Sequence, residues 1–275
     1  MPEQQSENEA AHDGLLLGGF AAPHLCVLHA GNCPNILLAC RGDYVAGAIV
    51  IKRFDWITVE RSWRGAMIGM VYTRPEERGR GLASQLLRAA EQRLRGDGAA
   101  FAVLWTAQPA FYARLGWKSA DCGVYGTCVS AGGAAAGCAA ADASSVDAMR
   151  LRNATIYTPR GHAGYATLPP PSEQLHLLAS PNGAAYAAYG TQADRAYVYE
   201  FGGEPAEYAA LWQDISAMPG TIYINEHRGS TAEPWLATIP GIVWRDKALA
   251  MWLPLAEPPG ERDFARWYIP FLDRI

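Results

Sequence analysis

An apolar segment that runs through a glycine-rich turn directly into an amphipathic helix constrains this chain more than any other feature. It spans Ala66 to Ala83 and contains Arg78-Gly79-Arg80-Gly81. After the turn, Leu82, Leu86, Leu87, Ala90 and Leu94 recur on one helical face and Gly96 suits a C-cap, which predicts a helix of about four turns. The first turn of such a helix has unpaired backbone N–H groups. Those donors and the positive end of the helix dipole point at the Gly79–Gly81 loop, where absent side chains let a phosphate approach the main chain. The turn lacks the lysine followed by Ser or Thr of a nucleotide P-loop. It is not the dinucleotide G-x-G-x-x-G either, because position 84 is Ser84. Both departures argue against a nucleoside triphosphate or dinucleotide.

What the turn does match is R-x-x-G-x-A, written by Arg78, Gly81 and Ala83. On these residues the chain resembles the GCN5-related N-acetyltransferases (GNAT), whose pyrophosphate loop reads Q/R-x-x-G-x-G/A. Downstream, Ala99 to Thr106 predict a second buried strand, and Phe111-Tyr112-Ala-Arg-Leu-Gly116-Trp117 is similar to the family's F-Y-x-x-x-G-F segment. A lone G-x-G among 28 glycines would read as a solvent-exposed turn. The two motifs together, in the order strand, helix, strand, helix, cover roughly residues 36 to 127 and are far more specific than either alone.

The resemblance implies an α/β (α+β) fold with a mixed, mostly antiparallel sheet flanked by helices. It also implies transfer of an acetyl group from acetyl-CoA to a primary amine of a small molecule or peptide, by direct attack in a ternary complex. The coenzyme would lie along Met70, Val71, Tyr72 and Thr73 and over Arg78, Gly79, Arg80, Gly81, Leu82, Ala83 and Ser84. Tyr112 stands where the family's tyrosine often protonates the departing thiolate, and a phenol with an ordinary pKa near ~10 arrives protonated at neutral pH. An alternative role for Tyr112 is packing beneath the coenzyme. The key strand has no carboxylate between Ala66 and Thr73, so Asp55 and Glu60 are the nearest candidates for the base, each acting through water. Some relatives use the carboxylate at their C-terminus, and the apolar ending Trp267–Ile275 could fold back to offer one. The missing obvious base leaves a second reading open, an acetyl-CoA-binding sensor without turnover.

At 275 residues the chain is long for one compact domain and two are expected, and 50% hydrophobic with 18% charged residues can bury a sizeable core. A formal charge of −4 gives no global attraction to nucleic acid or an anionic membrane. No apolar run reaches the ~20 residues needed to span a bilayer, and the polar start lacks the parts of a secretion signal, so a cytoplasmic location is expected. The six cysteines form no C-x-x-C pair, and no metal is expected.

Residues 1–13 are read as a disordered N-terminus, 14–134 as the catalytic domain and 135–275 as a degenerate copy of it. A helix is expected over Leu15–His29, ahead of the hairpin Asn35–Cys40 and Tyr44–Ile51, with a turn at Arg61–Gly65. The Ala/Gly-rich stretch from Thr127 to Ser145 reads as a linker or a weak edge strand. Beyond it the order hairpin, strand, Gly202-Gly203-Glu204-Pro205, helix, strand repeats the first half, ending in a strand region from Ile242 to Leu255. Gly202-Gly203 lacks the residues of R-x-x-G-x-G/A, so only the first half is expected to bind coenzyme A. Tryptophans 212, 235, 244 and 252 in the second half suit a cover over the acceptor cleft or a homodimer interface.

Overall fold

The computed structural model describes residues 24–28, 35–58, 62–153, 156–157, 172–246, 249–256, 264 and 267–274. In chain order its strands are β1 (His24–Leu28), β2 (Asn35–Arg41), β3 (Tyr44–Thr58), β4 (Ser62–Thr73), β5 (Phe101–Trp105), β6 (Lys118–Ser119), β7 (Gly123–Ala131) and β8 (Ala139–Ala140). They continue as β9 (Ile156–Tyr157), β10 (Gln174–Ala179), β11 (Ala185–Gln192), β12 (Arg195–Gly203), β13 (Pro219–His227), β14 (Val243–Asp246) and β15 (Ala250–Pro254). The helices are α1 (Leu82–Gly96), α2 (Pro109–Ala113), α3 (Ala143–Asn153), α4 (Tyr208–Ile215) and α5 (Glu233–Leu236).

Two mixed, mostly antiparallel sheets result. The first has the order β1-β2-β3-β4-β5-β15-β6, with β9 on β3, and the second β14-β7-β13-β12-β11-β10-β8. Each contains one parallel pair, β4 with β5 and β12 with β13. Helix α1 lies between the first pair along the chain and α4 between the second, as a parallel connection requires. The halves therefore repeat one plan, and the repeat is reciprocal at its last strand. Strand β7 leaves the first half to pair with β13 and β14, and β15 leaves the second half to pair with β5 and β6. A single cut near residue 135 does not separate the two sheets.

The amphipathic stripe of α1 forms as its periodicity demands: Leu82, Leu86, Leu87, Ala90 and Leu94 are buried against one face of the first sheet. The opposite face is aromatic. Trp56, Phe101 and Trp252 meet Phe264 and Trp267 there, with Trp56 and Trp267 stacked at 4.9 Å. The end of the chain thus completes the first core. It then crosses to the second sheet, where Leu272 is buried and Phe271 stacks on Tyr199 at 5.5 Å. Buried Asp273 fixes this crossing, pairing with Arg150 Nη2 at 2.7 Å while its carbonyl accepts from Lys52 Nζ at 2.8 Å.

Several expectations need correction. Within the segment expected to be helical over Leu15–His29, His24–Leu28 is a strand in register with β2, from His24 opposite Cys40 to Leu28 opposite Ile36. A short apolar run does not distinguish helix from strand by period, and an unpaired edge of β2 decides it. The rest of that segment, and residues 1–13, lie outside the described residues. Ser62–Gly65 belongs to β4 rather than to a turn. Gly96 is still helical, and the left-handed residue that ends α1 is Gly98 at φ 73°. The region Ile242–Leu255 holds two strands that enter different sheets.

The Ala/Gly-rich connection divides into a central strand, β7, and an irregular stretch held by one side chain. Asp214 on α4 accepts hydrogen bonds from the backbone N–H of Ala136, Gly137 (3.1 Å) and Cys138 (2.6 Å). Burial works to raise the Asp214 pKa, but those donors outweigh it and hold the carboxyl below its ordinary value. A depressed carboxyl stabilises the fold above its unfolded pKa, and that contribution disappears as pH falls through the folded value. Asp214→Asn is therefore expected to lower Tm by a few degrees at pH 7 and to lose that difference in acid, as differential scanning calorimetry at pH 7 and pH 3 would read.

Candidate active site

The end of β4 departs from regular strand geometry. The pairing with β3 shifts register between Ala48, opposite Tyr72, and Val50, opposite Gly69, so β4 carries an extra residue there. Met70 sits in that bulge at φ 49° and is 76% exposed. A non-glycine residue at positive φ is strained, and a bulge of this kind leaves a backbone group outside the ladder. On its other side β4 pairs with β5 only from Gly65 to Met67, opposite Phe101 to Val103. From Ile68 to Thr73 the edge facing β5 makes no ladder, which opens a wedge between two adjacent parallel strands.

The wedge leads to the glycine turn. Pro75–Glu77 forms a single 3₁₀ turn after β4. Glu77 is buried and accepts from Arg41 Nη1 at 3.0 Å and from Arg80 Nη1 at 3.2 Å. Arg74 Nε donates to the Val45 carbonyl at 2.6 Å, and the Tyr44 hydroxyl donates to Glu76 at 3.0 Å. The turn is therefore braced against β2 and β3 before any ligand arrives. Gly79 and Gly81 adopt φ 75° and 78°, and a Cβ on either would meet no atom within 4 Å. Close packing does not require these glycines. Their backbone conformation does, and the space above them is open. The first helical hydrogen bond of α1 runs from Gln85 N–H to the Gly81 carbonyl at 3.1 Å, so the N–H groups of Leu82, Ala83 and Ser84 stand ahead of it. Arg78 is exposed, with Nε on the Thr73 carbonyl at 3.2 Å. Thr73 Oγ1 is buried with no hydrogen-bond partner among the described residues. An orphaned polar atom beside an open glycine turn fits a bound polar group.

Helix α2 follows β5 and presents Tyr112, whose ring meets Phe111 at 4.9 Å and Trp117 at 6.2 Å, both edge-on. Burial raises the Tyr112 pKa above its ordinary value. Asp55 is elsewhere. It pairs with Arg64 near the start of β4 and lines a cleft of about 360 Å³ with Arg53, Phe54, Gly65, Asp97 and Ala99. Arg64 lies six residues before Met70, which is about 20 Å along a strand. The structure does not bring Asp55 to the wedge, and Glu60 lies outside the described residues.

The equivalent place in the second half is closed. There a 3₁₀ turn, Pro205–Glu207, follows β12 as Pro75–Glu77 follows β4. Helix α4 then starts at once at Tyr208, with no counterpart of Arg78–Gly81. A Cβ on Gly202 would strike the Tyr186 ring, and one on Gly203 the Ala184 carbonyl. These glycines allow tight packing rather than ligand approach.

Residues 28–120 match the family model described as an acetyltransferase (GNAT) domain. The match falls on the segment that holds the wedge and the glycine turn. The whole two-sheet arrangement is similar to solved structures of low identity. A GCN5-related N-acetyltransferase from Kribbella flavida shares 19% identity, with a TM-score of 0.61, over 80% of this chain and 59% of its own. One from Anabaena variabilis ATCC 29413 shares 14%, with a TM-score of 0.65, over 80% and 63%. A protein of unknown function from Enterococcus faecalis V583, described as a probable N-acyltransferase, shares 16%, with a TM-score of 0.62, over 81% and 62%. The match spans about three fifths of the length of these structures. No curated protein matches the sequence. The second sheet repeats the element order of the first, with the turn closed.

Sequence reasoning missed Glu77. In Arg-Pro-Glu-Glu-Arg it reads as diluting a basic cluster, yet it is the buried hub that orients Arg41 and Arg80. The long-range partner, Arg41, joins the i,i+3 partner, Arg80, around this glutamate only when β2 is laid beside the turn. Among the described residues, no group of three or more His, Cys, Asp or Glu side chains is arranged to hold a metal ion, and no helix is long and apolar enough to cross a membrane.

Proposed function

We infer that this protein transfers an acetyl group from acetyl-CoA to a primary amine. The observation that carries the reading is the continuous path from the β4–β5 wedge to the open Gly79–Gly81 turn, with a braced loop and an orphaned Thr73 hydroxyl beside it. Arg78 and the N–H groups of Leu82, Ala83 and Ser84 would hold the pyrophosphate, and the unpaired edge from Met70 to Thr73 would align the pantetheine arm. When bound, acetyl-CoA supplies the acyl group as a thioester. Tyr112 holds the proton needed at the departing sulfur, since its pKa is shifted upward and its phenol stays protonated well above neutral pH. Arg80 acts through Glu77 on loop shape.

The test is release of free thiol from acetyl-CoA in the presence of a panel of amines, run beside calorimetric titration of acetyl-CoA. Binding without release with any amine would support the sensor reading. Absence of both would end the coenzyme assignment. Tyr112→Phe is expected to slow transfer about 100-fold with the coenzyme Kd unchanged. An acid must be protonated to act, so the wild-type rate should fall only above the ordinary phenol pKa of ~10, and the variant should lose that alkaline limb. Equal rates for both proteins would assign Tyr112 to packing.

A further inference from the structure

The end of β5 carries a second feature that the coenzyme site does not use. Arg274 lies over Trp105, the last residue of β5, with its guanidinium carbon 4.5 Å from the ring centroid, 5.2 Å from that of Tyr268 and 5.4 Å from that of Phe271. Its Nε donates to the Ile269 carbonyl at 3.0 Å, and no carboxylate among the described residues pairs with its terminal nitrogens. Neighbouring anions are committed elsewhere. Asp121 accepts from the N–H groups of Gly123, Leu249 and Ala250 at 2.8, 2.9 and 2.8 Å. Asp273 pairs with Arg150, and Glu226 lies 3.0 Å from His227 Nδ1. Burial lowers the Arg274 pKa, with Tyr268, Asp121 and Asp273 opposing it. The cation is nevertheless retained, because guanidinium loses its proton only at extreme pH.

A charged fork held on aromatic faces without a direct counter-ion has unspent hydrogen-bonding capacity. It is also held in place. The segment that carries it is anchored by buried Trp267, Ile269 and Leu272 and by the Asp273–Arg150 pair. Trp105, Tyr268, Phe271 and Arg274 all keep partial exposure to solvent. Trp105 stands beside the wedge, because β5 loses its pairing with β4 after Val103.

We propose that Arg274 receives the carboxylate of the acceptor, so that the substrates are small amines bearing an acid group. The inference rests on the acetyl-transfer reading and names the acceptor class for that site. Two parallel N–H donors of a guanidinium match the two oxygens of a carboxylate, which orients the amine at the other end of a small molecule.

The test compares kcat/KM for amino acids and for the corresponding amino-acid amides. The amide's amine is less basic and more of it is unprotonated at neutral pH, so reactivity alone favours the amide. Wild type is expected to prefer the acid about 30-fold or more, Arg274→Met to bring the ratio close to one, and Arg274→Lys to restore part of it. Near-ultraviolet circular dichroism of both variants checks that the tryptophan core is intact. A wild-type preference for the amide, or an unchanged ratio in folded Arg274→Met, overturns the inference while leaving acetyl transfer in place. If no amine is acetylated, calorimetric titration with N-acetylglycine and N-acetylglycinamide decides separately. Binding of the acid alone, lost in Arg274→Met, sustains the anion site, and no binding to wild type overturns it.

Discussion

Acetyl-CoA binding to Gly81→Glu is expected to weaken at least about 100-fold, roughly 3 kcal/mol, with the fold retained. Two effects add. Gly81 sits at φ 78°, where a residue with a Cβ costs about 1–2 kcal/mol, so the free turn of the variant relaxes to another conformation and binding must restore this one. The new carboxylate would project into the open space above the turn, where phosphates would lie, and repel them in a site that bulk water screens poorly. The absence of contacts around a Gly81 Cβ makes this a clean test, since the substitution strikes no neighbour. Gly81→Ala should show the backbone part alone. Calorimetric titration of acetyl-CoA into wild type and both variants reads the difference. Equal affinity in all three would show that coenzyme does not use this turn. Gly203→Glu would be expected to damage the fold instead, because its Cβ position is occupied by the Ala184 carbonyl.

A fragment ending at residue 135 is expected not to fold, although it contains the complete glycine turn and Tyr112. It lacks β15, which stands between β5 and β6 and buries Met251, Trp252 and Leu253. It also lacks Trp267, which stacks on Trp56. Each such side chain contributes roughly 1.5–3 kcal/mol when fully buried, against a total stability on the order of 5–15 kcal/mol. The fragment would in addition carry β7 without its partners β13 and β14, leaving a nine-residue strand with exposed edges that favour aggregation. Expression of residues 1–135 alone should give insoluble protein or a chain without near-ultraviolet circular dichroism. Coexpression with residues 136–275 should restore a soluble complex, because the exchanged strands can pair between chains. A soluble, cooperatively folding fragment that binds acetyl-CoA would show that the exchange is dispensable.

Local features were legible because they depend on neighbours in the chain. The helical period over Leu82–Leu94, the positive-φ glycines at 79 and 81 and the hairpin around Arg41-Gly42-Asp43 each follow from a few adjacent residues. The repeat of hairpin, strand, helix and strand in the second half was legible as element order alone, and the 3₁₀ turns came only with the structure. Strand assignment failed where short apolar runs fit either period, as at His24–Leu28. The candidate bases were chosen by proximity in sequence, and Asp55 shows the weakness of that rule: it lies on the strand next to β4 and still about 20 Å along it from the bulge.

Taken by itself, the amino-acid sequence determined the glycine turn, the helix that follows it, the tyrosine seven residues past β5 and the lack of that turn in the second half. These are short-range matters of backbone freedom and side-chain period. Only the tertiary structure decided that β7 and β15 exchange sheets, that Glu77 gathers Arg41 and Arg80, and that Arg274 comes to rest on Trp105. Those outcomes pair residues as many as 169 positions apart in the chain. No local pattern encodes such a pairing, because it is set by which open strand edge and which aromatic face remain to be covered once the rest of the chain has packed.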